Sequence, residues 1–395
     1  MIAEAWLWLG WLLAVPPLVA LAIFVAEVAM GLAAARSEPA ALSVPSRIAI
    51  LIPAHNEAAS IAATVAGLRD AAPAGTRILV VADNCTDQTA ALARSAGAEV
   101  TERSHATLRG KGYALAHGRD VLALDPPEVV LIVDADCELT PGSVEQLAAA
   151  TRSGVPAQAE NLLLPDLTAP ALVQISSFAL LVKNLVRSRG MTRMGGCALL
   201  TGTGMAFPWP VFAAAPLATS DIAEDLGLTI TLAGQGIRPR LVTQAGVRSR
   251  AASLRDSAAQ RRRWEHGFLG NARKHALPTL WRGLTQPSRV LVALGLHLIV
   301  PPLALLFLAA GAIELVLLAG GALTQVWTPA LGLAAGLVAA IVFTALAWLR
   351  FGRSTLAFAA LLQAPLYVLW KIPTYIGFFK SRQVTWERTR RAGED

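Results

Sequence analysis

Charge is scarce in this 395-residue chain: Asp, Glu, Lys and Arg make up 15% of it, against 54% hydrophobic residues. With a mean hydropathy of +0.51, that balance excludes an ordinary soluble domain and leaves a folded domain joined to membrane spans. Cysteine is limited to Cys85, Cys137 and Cys197. Their spacing fits neither a disulfide framework nor a zinc site, and a reducing cytoplasm accommodates them. Internal repeats are lacking too. Acidic residues are fewer than basic ones, giving a net charge of +7 and a pI near 9.8. Such a balance commonly signals nucleic acid, but no aromatic-basic platform accompanies it. Instead the arginines flank apolar segments, at Arg36, Arg261, Arg262, Arg263, Arg289, Arg350, Arg353, Arg382 and Arg391. That pattern follows the positive-inside rule and suits an anionic cytoplasmic leaflet. The sequence therefore predicts membrane lipids as partners, no nucleic acid, and a multi-pass protein of the inner (plasma) membrane with a cytoplasmic central domain.

The long apolar runs are at 6–32, 290–320, 329–349 and 356–379. Each of the first three is long enough to cross ~30 Å of hydrocarbon. Ala33-Ala34-Ala35 resembles a signal-peptide cleavage site, yet the start carries Glu4 and no Lys or Arg. A retained span fits better. In the last run Pro365, Lys371 and Pro373 interrupt a helix, and a third full span would export the basic tail. A re-entrant or interfacial element is expected there. The expected organisation is an N-terminal transmembrane helix (1–35), a catalytic domain with interfacial helices (45–285), C-terminal transmembrane or re-entrant helices (289–380) and a basic cytoplasmic tail (381–395).

Within the central domain, β-branched runs at 47–52, 77–81, 99–101 and 129–133 alternate with helical spacing at 58–69, 86–96 and 113–122. Alternation of this kind predicts an α/β fold with a parallel sheet covered on both faces. Such sheets bind ligands beyond the carboxyl ends of their strands. His55-Asn56-Glu57, Asp83-Asn84, and Asp134 with Asp136 all fall there.

Four short motifs carry the chemistry, and each has a bland alternative. Asp134 and Asp136 are one residue apart, so a slight turn lets both reach one magnesium or manganese ion; a lone Asp-x-Asp is more often a solvated turn. Glu224 and Asp225 open a helix, where acids suit the helix dipole and Ser220 or Asp221 can cap; a carboxylate there can also act as a general base. Gln260, Arg263 and Trp264 share one helix face, with a guanidinium suited to a diphosphate and an indole suited to a sugar ring; a basic interfacial helix with an aromatic anchor reads the same way. Lys111 lies between glycines in Arg109-Gly-Lys-Gly112, which lacks the spacing of a Walker motif and is commonly a surface turn. The amphipathic stretch 168–189 suits a membrane interface and leads to Leu200-Thr-Gly-Thr-Gly-Met205, a small-residue loop open to an acceptor. His297 and Glu314 lie in the apolar third and are assigned no role.

Taken together, these residues resemble the membrane-bound family 2 glycosyltransferases, the group that includes cellulose and hyaluronan synthases. The motifs span about 47–264. The resemblance implies a GT-A (Rossmann-like) fold inserted between transmembrane helices, and an inverting mechanism. It implies nucleotide-sugar contacts at Pro53, His55, Glu57, Asp83, Lys111, Asp134, Gln260, Arg263 and Trp264, and a divalent cation on Asp134 and Asp136. Asp225, with Glu224 beside it, matches the catalytic base. Gly202, Thr203, Gly204, Met205 and Trp264 fall on the acceptor side. Two departures stand out: Ala223 replaces the Thr usual in large synthases, and 200–205 lacks the Phe-Cys-Gly type loop that holds a growing chain. With so few spans for an export channel, the expected activity is transfer of a hexosyl or N-acetylhexosaminyl unit from a UDP- or GDP-sugar to a lipid-linked saccharide, in polysaccharide or glycolipid biosynthesis. The alternatives are a processive exopolysaccharide synthase, a nucleotidyltransferase and a non-catalytic membrane assembly subunit.

Overall fold

The computed structural model describes residues 1–33, 43–251 and 254–380. The side chain of Gln260, together with Arg36, Arg382, Arg391 and the expected tail 381–395, lies outside the described residues. Two compact units emerge: one holds 43–164, 196–251 and 254–271, and the other holds 1–33, 165–195 and 272–380.

The first unit is built on an eight-stranded sheet. Its strands are β1 (Ile48–Ala54), β2 (Arg77–Asp83), β3 (Glu99–Arg103), β4 (Val129–Ile132), β5 (Cys137–Leu139), β6 (Ala157–Leu163), β7 (Met205–Pro208) and β8 (Arg240–Ser249). Their order is β3-β2-β1-β4-β7-β6-β8-β5. The first four pair in parallel, as the alternation of strands and helices predicts. Beyond β4 the sheet becomes mixed, because β7 runs antiparallel to β4 and β5 antiparallel to β8. A wholly parallel sheet is therefore not what forms. The alternation stops at β4: β5 follows it after a tight turn, too short for the crossover that a parallel neighbour requires.

Both sheet faces are buried, which explains why the strand sequences are apolar almost without interruption. Ile48, Ile50 and Ile52 face one cluster with Val65, Val80, Leu131 and Val144. Ala49 and Leu51 face the other, with Leu79, Val81, Ile132, Phe207 and Phe212. Helix Lys111–Leu122 covers the second face. Its Gly112 is required by close approach, since a Cβ there would lie 2.4 Å from the Leu217 carbonyl oxygen.

The second unit is helical. Ile2–Leu32, Leu303–Thr324 and Thr328–Gly352 are each long and apolar enough to cross a membrane. The run expected at 290–320 is two helices, Arg289–Ile299 and Leu303–Thr324, because Pro301 and Pro302 break the hydrogen-bond ladder between them. The run at 356–379 is likewise broken, into Phe358–Leu361, Ala364–Trp370 and Ile372–Lys380. The amphipathic stretch begins as helix Ala171–Leu181, passes through a π-helical turn at Val182–Arg187 and ends in Ser188–Arg193.

The single charge in the first apolar run is fully paired. Glu27 accepts from Arg187 Nε at 2.6 Å and lies 2.7 Å from His297 Nδ1, all three side chains being buried. His297 thus has a partner that the sequence does not reveal. Removing one member of a buried ion pair strands the other. Glu27→Ala is expected to cost about 3–5 kcal/mol, read as a lowered thermal midpoint of the purified protein in detergent, with Glu27→Gln milder. An unchanged midpoint for Glu27→Ala would show that the network contributes nothing to stability.

Candidate active site

The acids and bases singled out by the sequence gather beyond the carboxyl ends of β1, β2 and β4. After β4 the chain turns sharply, and Cys137 N–H donates to the Asp134 carbonyl at 3.0 Å. The Thr64 hydroxyl pins this turn by donating to the Ala135 carbonyl at 2.8 Å. The turn brings ligand atoms of Asp134, Asp136 and Cys137 within 4.8 Å of one another. Burial and the two neighbouring aspartates push the Cys137 thiol well above its ordinary pKa. The two carboxylates supply the hard oxygen donors of this group. Hard oxygens of this kind fit magnesium or manganese.

Lys111 opens helix Lys111–Leu122 and is the hub of the site. Its ammonium forms an ion pair with Asp134 Oδ1 and donates to the Gly202 carbonyl at 2.8 Å. Burial alone would lower the Lys111 pKa, but Asp134, Glu224 and Asp225 outweigh it and hold the ammonium above its usual value. Gly202 has φ +82°, and a Cβ on it would lie 3.4 Å from Asp225 Oδ2. Lys111, Asp134, Gly202 and Asp225 therefore share one small volume.

Glu224 and Asp225 begin helix Glu224–Gly234. Ala223 is its N-cap, so neither Ser220 nor Asp221 plays the capping part open to them in the sequence. Asp225 Oδ1 accepts from Leu226 N–H at 2.7 Å. Buried Thr229 bridges outward: its hydroxyl donates to the Asp225 carbonyl at 2.9 Å and accepts from Leu200 N–H at 3.0 Å. Burial, then the charge of Asp225, raise the Glu224 pKa well above the ordinary carboxylate range. Arg263, on helix Leu254–Thr285, is lowered by burial and opposed by the charges of Glu224, Asp134 and Asp136. It thus lies within electrostatic reach of all three. Trp264 follows on the same helix and is half-buried.

A second group occupies the ends of β1 and β2. His55 Nδ1 is 2.7 Å from the Asp83 carbonyl. Asp83 is buried, and its Oδ1 accepts from Arg103 at 2.6 Å and Asn84 Nδ2 at 3.0 Å. Glu57 N–H donates to the Thr89 hydroxyl at 2.7 Å, and Pro53 lies on β1 just before His55. Arg103 stacks 5.6 Å over the ring of Tyr113, two residues along the helix from Lys111. The two groups are linked through that helix.

Several supporting residues are absent from the sequence expectations. Gln158, buried on β6, donates to the Thr203 carbonyl at 2.9 Å and accepts from Thr201 N–H at 3.0 Å. Asn161 donates to the Thr201 hydroxyl at 3.2 Å. Thr203, read as an acceptor-side residue, uses its hydroxyl to receive Asp134 N–H at 3.1 Å. A buried glutamine in a strand is a visible signal, but its partners lie in the distant loop before β7 and cannot be read from spacing.

Two descriptions match this chain: Glycosyl transferase family 2 over residues 49–156 and Glycosyl transferase family group 2 over residues 129–373. The chain belongs to glycosyltransferase family 2. Uncharacterized glycosyltransferases of Mycobacterium tuberculosis and Mycobacterium bovis are 36% identical to it over 107 residues, 27% of this chain. The match spans only 44% of those relatives' length. A mannosyltransferase from Pyrobaculum calidifontis, solved with GDP-Man and Mn2+, aligns over 87% of this chain and 98% of its own, with 18% identity and a TM-score of 0.52. That likeness establishes the GT-A fold. Glucosyl-3-phosphoglycerate synthase from Mycobacterium tuberculosis aligns over 57% of this chain and 78% of its own at 20% identity, with a TM-score of 0.39.

Gln158→Leu would remove three hydrogen bonds from the 201–204 loop, to the Thr203 and Gly204 carbonyls and from Thr201 N–H, and leave the backbone groups without them in a buried place. A loss of about 1–3 kcal/mol is expected, measured as a lowered thermal midpoint; Gln158→Glu, which sets a buried carboxylate oxygen against the Thr203 and Gly204 carbonyls, should lose at least as much. Equal midpoints for all three proteins would contradict this bracing role.

Proposed function

We propose that the protein transfers one hexosyl or N-acetylhexosaminyl unit, with inversion, from a UDP- or GDP-sugar to a lipid-linked saccharide at the cytoplasmic face of the inner membrane. One observation carries the reading: Lys111 touches Asp134 and the Gly202 carbonyl while Asp225 Oδ2 lies beside Gly202. A leaving-group cation and a candidate base thus flank one backbone loop. The family supports sugar transfer as the reaction type.

In this mechanism Asp225 takes the proton of the acceptor hydroxyl as its oxygen attacks the anomeric carbon. The bond from that carbon to the diphosphate breaks on the opposite face, and the nucleoside diphosphate departs. Lys111 and Arg263 stabilise the charge that develops on the departing oxygens, in a site where burial strengthens such interactions. Asp134 and Asp136 would hold a magnesium or manganese ion, which supplies further charge neutralisation when bound. Pro53, His55, Glu57 and Asp83 are assigned to the nucleoside, with Arg103 orienting the Asp83 carboxylate. Gln260 is placed with the donor by its motif. Trp264 and the loop Gly202, Thr203, Gly204 and Met205 are assigned to the acceptor, and Glu224 supports Asp225. The lipid-linked acceptor is supported by the long apolar helices that flank the domain. A processive synthase is disfavoured because the described residues hold three membrane-length helices, few for an export channel.

Asp225→Asn should lower turnover about 10²- to 10⁴-fold, the usual worth of a general base, while nucleotide-sugar affinity holds within a few-fold. Near-normal turnover would remove Asp225 from the mechanism. With radiolabelled donors, the reconstituted protein should label a lipid-extractable product one sugar longer than its acceptor. Long polymer on a gel, or labelling of soluble acceptors alone, would contradict the single-transfer, lipid-linked reading.

A further inference from the structure

The helix that carries the candidate base has a weak start. Asp225 lies in the first turn of Glu224–Gly234, whose N-cap is Ala223 and makes no side-chain capping bond. A first turn leaves backbone N–H groups without intrahelical partners, and a side-chain cap commonly secures it. Here Asp225 turns its own Oδ1 to Leu226 N–H, at 2.7 Å. A base in such a turn holds one position only if the turn is anchored from elsewhere.

Thr229, one turn further on, supplies an anchor. Its side chain is fully buried. The hydroxyl donates to the Asp225 carbonyl at 2.9 Å and accepts from Leu200 N–H at 3.0 Å. The first bond alone is ordinary, because a helical threonine often bonds back to the carbonyl four residues earlier. The second crosses 29 residues of sequence to buried Leu200, where the 200–204 loop begins. A hydroxyl can donate one bond and accept another at once, which no apolar side chain of the same shape can do.

The rest of the loop is tied to other elements. The Gly202 carbonyl accepts from Lys111 at 2.8 Å, and Gly204 N–H donates to the Ile132 carbonyl at 2.9 Å. Gln158 holds Thr201 and Thr203. Those ties fix the loop to the sheet and to the lysine; the Thr229 bond fixes it to the helix of the base. Clearances are small: a Cβ on Gly202 would lie 3.2 Å from Lys111 Nζ and 3.4 Å from Asp225 Oδ2. Slack of about an ångström between helix and loop would therefore misplace the carboxylate, an error that costs catalysis heavily.

We propose that Thr229 is a positioning residue for sugar transfer, holding Asp225 at a set distance from the 200–204 loop through Leu200 N–H. The inference rests on the reading of Asp225 as the base.

The test measures release of nucleoside diphosphate from UDP-glucose or GDP-mannose, with manganese, by the full chain in vesicles of membrane lipid extract. Thr229→Val keeps the branched shape and loses the hydroxyl. It should slow release about 10- to 100-fold, with donor affinity held within a few-fold, and Thr229→Ser should restore most of the rate. In an Asp225→Asn background the valine should cost little more, because a residue that acts through another then has nothing to position. A full further loss in that background would make Thr229 a general structural residue and overturn the proposal. Near-normal release by Thr229→Val beside a crippled Asp225→Asn would overturn the positioning role alone. Near-normal release by Asp225→Asn would overturn the base reading, and the positioning role with it. Hydrogen exchange over residues 198–206 needs no turnover. Thr229→Val, or Thr229→Ala if the valine variant does not fold, should exchange Leu200 N–H faster than wild type and Thr229→Ser. Unchanged exchange would show that the tether is not made and overturn the proposal.

Discussion

The ion pair between Lys111 and Asp134 organises the catalytic unit. It joins the first turn of one helix to the end of β4, and the same ammonium reaches the Gly202 carbonyl on the loop before β7. Three segments distant in sequence are tied at one nitrogen. Glu224, Asp225 and Arg263 then arrange themselves around it, and their mutual electrostatic effects follow from the shared burial. Without a cation at this point, Asp134, Glu224 and Asp225 would repel one another in a poorly solvated place. In the proposed mechanism a lysine held there would supply preorganisation of the kind that favours charge development during reaction.

Much of this was legible in the amino-acid order. The apolar strands at β1, β2 and β4 announce a sheet buried on both faces, and the polar residues that follow each strand mark the edge where the candidate site lies. The Asp134/Asp136 spacing and the Glu224-Asp225 pair pick out residues that the fold brings near Lys111, because each closes or opens a regular element. What could not be read was pairing between distant segments. The antiparallel β7, the Gln158 brace and the Arg103–Asp83 contact all depend on which strands become neighbours, and no local period encodes that. Glu27 and His297 illustrate the same limit: each looks isolated within an apolar run, yet they meet 2.7 Å apart. The capping residue of helix Glu224–Gly234 was misplaced because Ser220 and Asp221 are good cap formers, while the chain stays non-helical until Ala223.

The helical unit shows how few charges an apolar assembly holds, and how each is handled. Glu27 is matched by Arg187 and His297 deep in the packing. At the end of helix Thr328–Ala347 the solution differs, with arginines laid on Phe351 and Trp348. The first arrangement neutralises charge internally; the second lays it against aromatic rings. Three helices of this unit are long and apolar enough to cross a membrane.

The most direct measurement is a cryo-EM map of the full chain with manganese and a slowly transferred nucleotide sugar. Diphosphate density bounded by Lys111, Asp134 and Arg263, with the anomeric carbon facing Asp225, is the result the account requires. A diphosphate bound elsewhere, with the Lys111–Asp134 pair undisturbed and distant from it, would contradict it.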